Sequence, residues 1–254
     1  MQRKASIIAS GSEGNCVFID TGKSKLLIDV GMNIKYINSK LEELNTSLNE
    51  IDYIFITHGH SDHIASLDKI LKNYNPMIFI DEKCMAEIKC LEDYNNLNLD
   101  AEFKFDDFEM ISFRTSHDAK GARGYIFKFD DESIVYVTDT GYINHKNFKK
   151  LENHTYYIFE SNHDIEMLMH GSYPPWLKAR VRSDEGHLSN QQAGFYLSKF
   201  IGDNTKLVAL AHLSKENNTH ELAVETVLNS LKENDVDFNN IITAKQNERV
   251  DIIA

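Results

Sequence analysis

Proline is scarce in this chain: three residues in 254 (Pro76, Pro174 and Pro175), accompanied by only twelve glycines. No proline-rich or glycine-rich linker divides the sequence, so one domain is expected over residues 1–254. Cysteine is as rare. Cys16, Cys84 and Cys90 are an odd number without metal-ligand spacing. They argue against a disulfide scaffold or a cysteine–zinc site and suit a reducing compartment, so a cytoplasmic location is expected. No apolar run approaches the roughly 18 to 20 residues of a membrane span. The opening MQRKASIIASGSEGN has too short an apolar run for a signal peptide. Neither a membrane nor a protein partner is expected. Positive charge is the last shortage: Lys and Arg total 27 against 39 Asp and Glu, a net charge of −12. That excludes binding nucleic acid through diffuse basic electrostatics. A nucleic-acid substrate would have to be held locally, by a few cationic groups and by bound metal.

What is present begins with short β-forming runs in the first third: ASIIA, NCVFID, KLLIDV and IDYIFIT. The turns SGSEGN and TGKS separate the first three, as in a meander of hairpins. Helical spacing in NIKYINSKLEEL places Ile34, Ile37, Leu41 and Leu44 on one face, and it recurs in HIASLDKILKNY through Ile64, Leu67 and Leu71. Further helices are expected near 83–91, 190–201 and 216–232. Strands are expected near 77–80, 108–115, 124–130, 133–138, 155–159, 206–211 and 249–253. Strands mixed with helices in this way indicate an α/β architecture.

Five apolar runs stop at chemistry. IDYIFI leads into THGHSDH, FEMISF into RTSHD, SIVYV into TDTG, TYYIF into ESNHD, and KLVALA into HLSKEN. Ligands of α/β proteins gather at the carboxyl ends of strands. Such ends would bring His58, His60, Asp62, His63, His117, Asp139, Glu160 and His212 together as a metal site or catalytic cluster. Alternate residues of an extended segment point the same way, so His58, His60 and Asp62 would share a face. Asp62 is also placed to cap the next helix and His63 to be turned by its start. One loop then offers two ligand pairs, His58/His60 and Asp62/His63. Two pairs suggest two metals, with Asp139 bridging them and His117 and His212 completing the shells.

These residues resemble the metallo-β-lactamase superfamily along nearly the whole chain: LLIDVG, THGHSDH, the lone His of TSHD, and TDTG follow that family's motif order. The resemblance implies the αβ/βα four-layer sandwich. It also implies one metal on His58, His60, His117 and Asp139 and a second on Asp62, His63, Asp139 and His212. Asp29 would stand behind the ligand histidines and orient them. SGSEGNC, ESNHD, GSYPPWLKARVRSDEGHLSN and AHLSKENN are similar to the bacterial YycJ/WalJ exonuclease group within that superfamily. Glu160 and His187 look like the acid and isolated histidine of the tRNA-processing RNase Z, but no insertion resembles its tRNA-binding arm.

The reaction implied is two-metal phosphodiester hydrolysis, most simply by a 5′-to-3′ exonuclease on single-stranded DNA. The metals would generate a hydroxide near neutral pH with Asp62 and Asp139 around it. Imidazole and carboxylate ligands accommodate zinc, manganese or iron, and the resemblance favours manganese. His187, oriented by Glu160, would protonate the poor alkoxide leaving group. Lys178, Arg180 and Arg182 would grip phosphates, all three on one side if extended and only Lys178 and Arg182 if helical. Trp176 and Tyr173 would stack a base, and Ser12 and Gly14 would present backbone N–H groups to a phosphate. The rivals are a phosphodiesterase acting on small or cyclic substrates, a thioester hydrolase that needs no His187, a di-iron redox protein, and a metal-stabilised scaffold without catalysis.

Overall fold

The computed structural model describes residues 3–91 and 102–254. Strands β1 (Lys4–Ala9), β2 (Cys16–Asp20), β3 (Lys25–Ile28), β4 (Tyr53–Phe55) and β5 (Met77–Phe79) form a six-stranded sheet with β13 (Val250–Ile253), in the order β13-β1-β2-β3-β4-β5. Strands β6 (Glu102–Lys104), β7 (Glu109–Arg114), β8 (Arg123–Lys128), β9 (Ser133–Val137), β10 (Tyr156–Glu160), β11 (Leu207–Ala211) and β12 (Ile241–Thr243) form a seven-stranded sheet in reverse numerical order, β12 to β6. The chain clusters into two compact units. One comprises Met1–Ser112, Ala119–Arg123 and Lys245–Ala254; the other comprises Phe113–Asp118 and Gly124–Ala244.

In the first unit the expected meander is present, since β1, β2 and β3 pair antiparallel. The sheet then changes sense: β3, β4 and β5 run parallel, so their carboxyl ends share one edge. Helix α1 (Ile34–Glu43) starts where the Asn33 side chain accepts the Tyr36 N–H, and buries Ile37 and Leu41. Ile34 and Leu44 pack on the same core, which confirms the face read from spacing. The helix expected through Ile64 and Leu71 is divided into α2 (Ser61–Ile64) and α3 (Leu67–Asn73). The division has a cause. The Ser66 hydroxyl donates to Met32 O at 2.6 Å and the Ser66 N–H to Val30 O at 3.0 Å, while His63 O accepts from Val30 N at 2.8 Å. A loop more than thirty residues away in sequence thus takes backbone groups that a continuous helix would have used internally. The helix expected near 83–91 is α4 (Glu82–Met85), capped by Asp81, and a separate 3₁₀ turn over Lys89–Leu91.

In the second unit β9, β10 and β11 are parallel neighbours, a crossover arrangement that aligns their carboxyl ends. Around them lie α5 (Phe148–Leu151), α6 (Ile165–His170), α7 (Pro175–Val181), α8 (Asn190–Phe200) and α9 (His220–Glu233). Ser189 and Gln192 close a capping box at the start of α8. Tyr125, Tyr136, Tyr157, Phe127, Phe159 and Phe200 are fully buried in this unit. No helix among the described residues is long and apolar enough to cross a membrane.

Candidate functional site

The first unit holds one ligand cluster. Asp29 follows β3 with a left-handed backbone, φ 58°. Its Oδ1 accepts the Thr57 N–H at 2.8 Å, and its Oδ2 accepts His63 Nδ1 at 2.7 Å and the Thr57 hydroxyl at 2.9 Å. With its proton given to Asp29, the Thr57 Oγ1 accepts from His58 Nδ1 at 3.0 Å. Both histidines therefore present Nε2 as the coordinating nitrogen, a pattern of carboxylate-oriented imidazoles common at metal sites. The rings of His58 and His63 are 4.0 Å apart and those of His58 and His60 4.7 Å. Asp62 Oδ2 lies 3.4 Å from His63 Nε2. Burial pushes the Asp29 carboxyl up against the lowering effects of His63 and Thr57. A cation at His63 Nε2 would act in the opposite direction, so the donor set fits a divalent metal. One expectation is corrected: Asp62 is inside α2 and caps nothing, the N-cap position being His60 without a side-chain bond. The His58-to-Asp62 alternation accordingly ends at His60, where the extended segment stops.

Asn15 was not singled out by residue type, yet it sits in this cluster. Buried in the turn after β1, its Nδ2 lies 3.1 Å from His63 Nε2 and 3.4 Å from Asp62 Oδ2. Its backbone N–H donates to Asp62 O and its own carbonyl accepts from Gly31. A Cβ at Gly31 would lie 1.7 Å from Asp62 O, so glycine is required at this approach. The signal was the pair of glycines, Gly11 and Gly14, that precede it in GSEGN, and the one ending LLIDVG. The phosphate role expected of the same turn fares less well. Ser12 is exposed, but the Gly14 N–H is taken by Gly11 O at 3.0 Å and the Glu13 N–H by Gln246 at 3.0 Å.

The second unit holds the other cluster, at the carboxyl ends of β9, β10 and β11. Asp139 follows β9 and His212 follows β11, both left-handed at φ 58° and 56°, and Glu160 ends β10. Ligand atoms of Asp139, Glu160, His187 and His212 all lie within 4.8 Å of one another. Glu160 is the hub. Its Oε1 accepts from His187 Nδ1 at 2.8 Å and His212 Nδ1 at 3.0 Å, and its Oε2 accepts the N–H groups of Thr140 at 3.0 Å and Leu188 at 3.2 Å. Burial disfavours its charge, but His187 and His212 outweigh burial and bring the carboxyl down to about 2. With both oxygens engaged, Glu160 orients histidines rather than ligating. His117 Nδ1 donates to Gly186 O at 3.3 Å, leaving Nε2 toward Asp139 Oδ1 at 3.8 Å. Asp139 Oδ1 is also 3.6 Å from the Nδ1 atoms of both His187 and His212.

Neighbouring residues divide. His163, on the loop after β10, is buried with an Nδ1 that has no hydrogen-bond partner, and burial pushes its pKa down to about 4. Lys178 and Arg180 lie in α7 and Arg182 caps it, so the helical alternative holds. Lys178 Nζ and Arg182 Nη1 both reach Met169, its carbonyl at 2.8 Å and its sulfur at 3.1 Å, whereas Arg180 Nε pairs with Asp118 at 2.5 Å. Trp176 is 68% exposed, which removes it from any core.

Comparison with known proteins agrees with this geometry. The family model of the metallo-beta-lactamase superfamily matches residues 9–88. The exodeoxyribonuclease WalJ of Streptococcus pneumoniae is 40% identical over 92% of this chain and 90% of its own length. The exodeoxyribonuclease YycJ of Bacillus anthracis is 36% identical over 90% of this chain and 89% of its length. Among solved structures, the metallo-beta-lactamase fold protein YhfI of Bacillus subtilis superposes with a TM-score of 0.75 at 15% identity, covering 99% of this chain and all of that one. The superfamily carries divalent metals, and the two His/Asp clusters supply suitable donors. The two mixed sheets with their helices are the αβ/βα sandwich read from the motifs, and the chain belongs to the metallo-β-lactamase superfamily of hydrolases, in the group that includes WalJ and YycJ.

Proposed function

We propose that this enzyme is a two-metal phosphodiesterase that degrades single-stranded DNA from the 5′ end. Its ligands would be His58, His60, His117 and Asp139 for one ion and Asp62, His63, Asp139 and His212 for the other. Manganese or zinc suits such mixed imidazole and carboxylate donors, and iron is also compatible. When bound, the metals supply an acidified water and draw charge from the phosphoryl oxygens. The proteins named exodeoxyribonucleases at 40% and 36% identity support the substrate class.

The observation that carries the reading is the Glu160–His187 pair. Phosphodiester cleavage expels an alkoxide, which must be protonated as it leaves. Glu160, ionised and held at both oxygens, fixes His187 through Nδ1 at 2.8 Å and offsets the charge of the protonated ring, whose Nε2 proton is then the one delivered. Thioester hydrolysis expels a thiolate and has no use for this acid. Asp139 contributes its carboxylate beside both histidines. Lys178 and Arg182, converging on Met169, would hold a phosphate of the bound strand, and exposed Trp176 on the same helix would stack a base. Arg180 is committed to Asp118, and Ser12 retains a place only through its own N–H. The unpaired thiols of Cys16, Cys84 and Cys90 suit a cytoplasmic setting.

The test is Mn²⁺-dependent digestion of 5′-phosphorylated single-stranded DNA labelled at either end. Early release of mononucleotides from the 5′ end is expected. His187→Asn should lower kcat by about 10² to 10⁴ on DNA, yet leave an activated nitrophenyl phosphodiester nearly unaffected, because its leaving group needs no proton. The acidic balance of −12 is the observation favouring a small substrate instead. Intact DNA together with turnover of cyclic or nitrophenyl phosphodiesters would establish that alternative.

A further inference from the structure

In a chain with 39 acidic residues, residues 140–151 and residues 186–202 are two of the segments that contain none. They pack on each other. Phe148 meets Tyr196 edge-on at 5.9 Å and Phe200 at 5.3 Å, and Gln192 Nε2 donates to Gly141 O at 3.4 Å. Leu151, three residues on from Phe148 in α5, is fully buried. With Phe148 and Leu151 turned inward, Lys149 and Lys150 must face out, and both are exposed, as are His145 and Lys146. None of Lys146, Lys149, Lys150 and Lys199 has an ion pair among the described residues; Lys199 Nζ meets only the neutral Asn234 amide and the Phe195 ring, 5.4 Å from its centroid. Interleaved with these cations are two aromatic rings that the fold leaves in solvent, Phe195 at 47% and Tyr142 at 37% exposure. In sequence, acidic residues bracket both segments, Asp139 and Glu152 the first and Glu185 and Asp203 the second.

Position adds to composition. The first segment starts one residue after Asp139, and the second contains His187, three residues before α8. A surface made from both leads away from two groups of the catalytic cluster. Charge complementarity then decides what it receives. In a protein of net charge −12, uncompensated lysines set between open aromatic faces fit a polyanion whose bases are unstacked, because each base offers a π-face and each linkage a phosphate. A duplex would keep its bases from the rings.

We propose that residues 142–150 and the outward face of α8 form a track for single-stranded DNA, with phosphates on Lys146, Lys149 and Lys150 and bases against Tyr142 and Phe195. This rests on the nuclease reading above and extends it, giving the strand contacts beyond those of α7. The experiment compares a long oligonucleotide with a dinucleotide as substrates, and measures binding of a phosphorothioate-linked oligonucleotide across a salt series. In the triple variant Lys146→Ser/Lys149→Ser/Lys150→Ser, KM for the long substrate should rise about tenfold or more, and the slope of log affinity against log salt should fall by about 2, at roughly 0.7 per lost contact on a single strand. The dinucleotide kcat/KM should stay within about twofold, and the corresponding triple Arg variant should restore the long-substrate KM by keeping the charge. Phe195→Ala should raise the long-substrate KM about fivefold or more, with Phe195→Trp near wild type. Unchanged KM and salt slope in the Ser variant, with wild-type cleavage intact, would overturn the track alone. Lysine-dependent binding without any cleavage would leave the track standing and remove the nuclease reading. A wild-type protein that neither binds nor cleaves the strand overturns both.

Discussion

Asp29 and Glu160 are the same device in different units. Each is fully buried, gives one oxygen to histidine Nδ1 atoms and the other to backbone N–H groups, and so settles which imidazole nitrogen points at the chemistry. The histidines were legible because four ionisable groups after an apolar strand are improbable without a purpose. Thr57 and Asn15 were not, because a threonine or asparagine in a turn ordinarily serves the turn itself. His163 is the contrasting case, a buried ring that no carboxylate holds. Its pKa is pushed from 6.5 down to about 4, chiefly by burial. The unfolded chain therefore takes up this proton below pH 6.5 while the folded protein resists until near pH 4, so stability is lost as pH falls through that window. The loss from this group is about 2 kcal/mol between pH 7 and pH 5. His163→Gln removes the titration. Urea denaturation at the two pH values should show the variant losing less stability than wild type by about that amount, and equal losses would mean that the ring is already protonated in the folded protein.

At the level of elements, the chemistry sits where strands end with their backbone turned left-handed. Asp29, Asp139 and His212 are each the first or second residue past a strand and have φ between 56° and 58°. Such conformations cost on the order of 1 to 3 kcal/mol each and are tolerated best by Asp, Asn and His among residues with a Cβ. The strand ends could be read from apolar runs stopping at polar residues; their backbone sense could not. The break between α2 and α3 was equally hidden, since the groups that cause it, Val30 O and Met32 O, are remote in sequence. The same loop supplies a test. A Cβ on Gly31 would strike Asp62 O, whereas a Cβ on Gly59, between His58 and His60, would meet nothing closer than 3.6 Å. Gly31→Ala should cost about 1 to 3 kcal/mol and spread Asn15, Asp62 and His63 apart, weakening metal uptake. Gly59→Ala should leave stability and uptake near wild type. Equal behaviour of the two variants in urea denaturation and metal titration would show that the approach of Gly31 to Asp62 does not hold the cluster.

For the molecule as a whole, composition and motif order reached the superfamily and its fold, because an αβ/βα sandwich writes its ligands at strand ends in a fixed order. The two compact units left no trace, since their boundaries fall between neighbouring residues without a linker. Net charge has a consequence at this scale. A chain at −12 that also gathers buried carboxylates in each unit should gain stability from divalent cations, but simple screening of its self-repulsion would also stabilise it. The two effects separate by mass action. A cation bound only by the folded protein adds about 2.7 kcal/mol at a concentration one hundred times its dissociation constant, and the gain keeps growing with the logarithm of concentration. Chelation should therefore lower Tm, and micromolar Mn²⁺ or Zn²⁺ should restore it where potassium chloride of the same ionic strength does not. If potassium chloride restores Tm as well as manganese does, the His/Asp clusters are ordinary buried polar networks and the metal assignment falls with them.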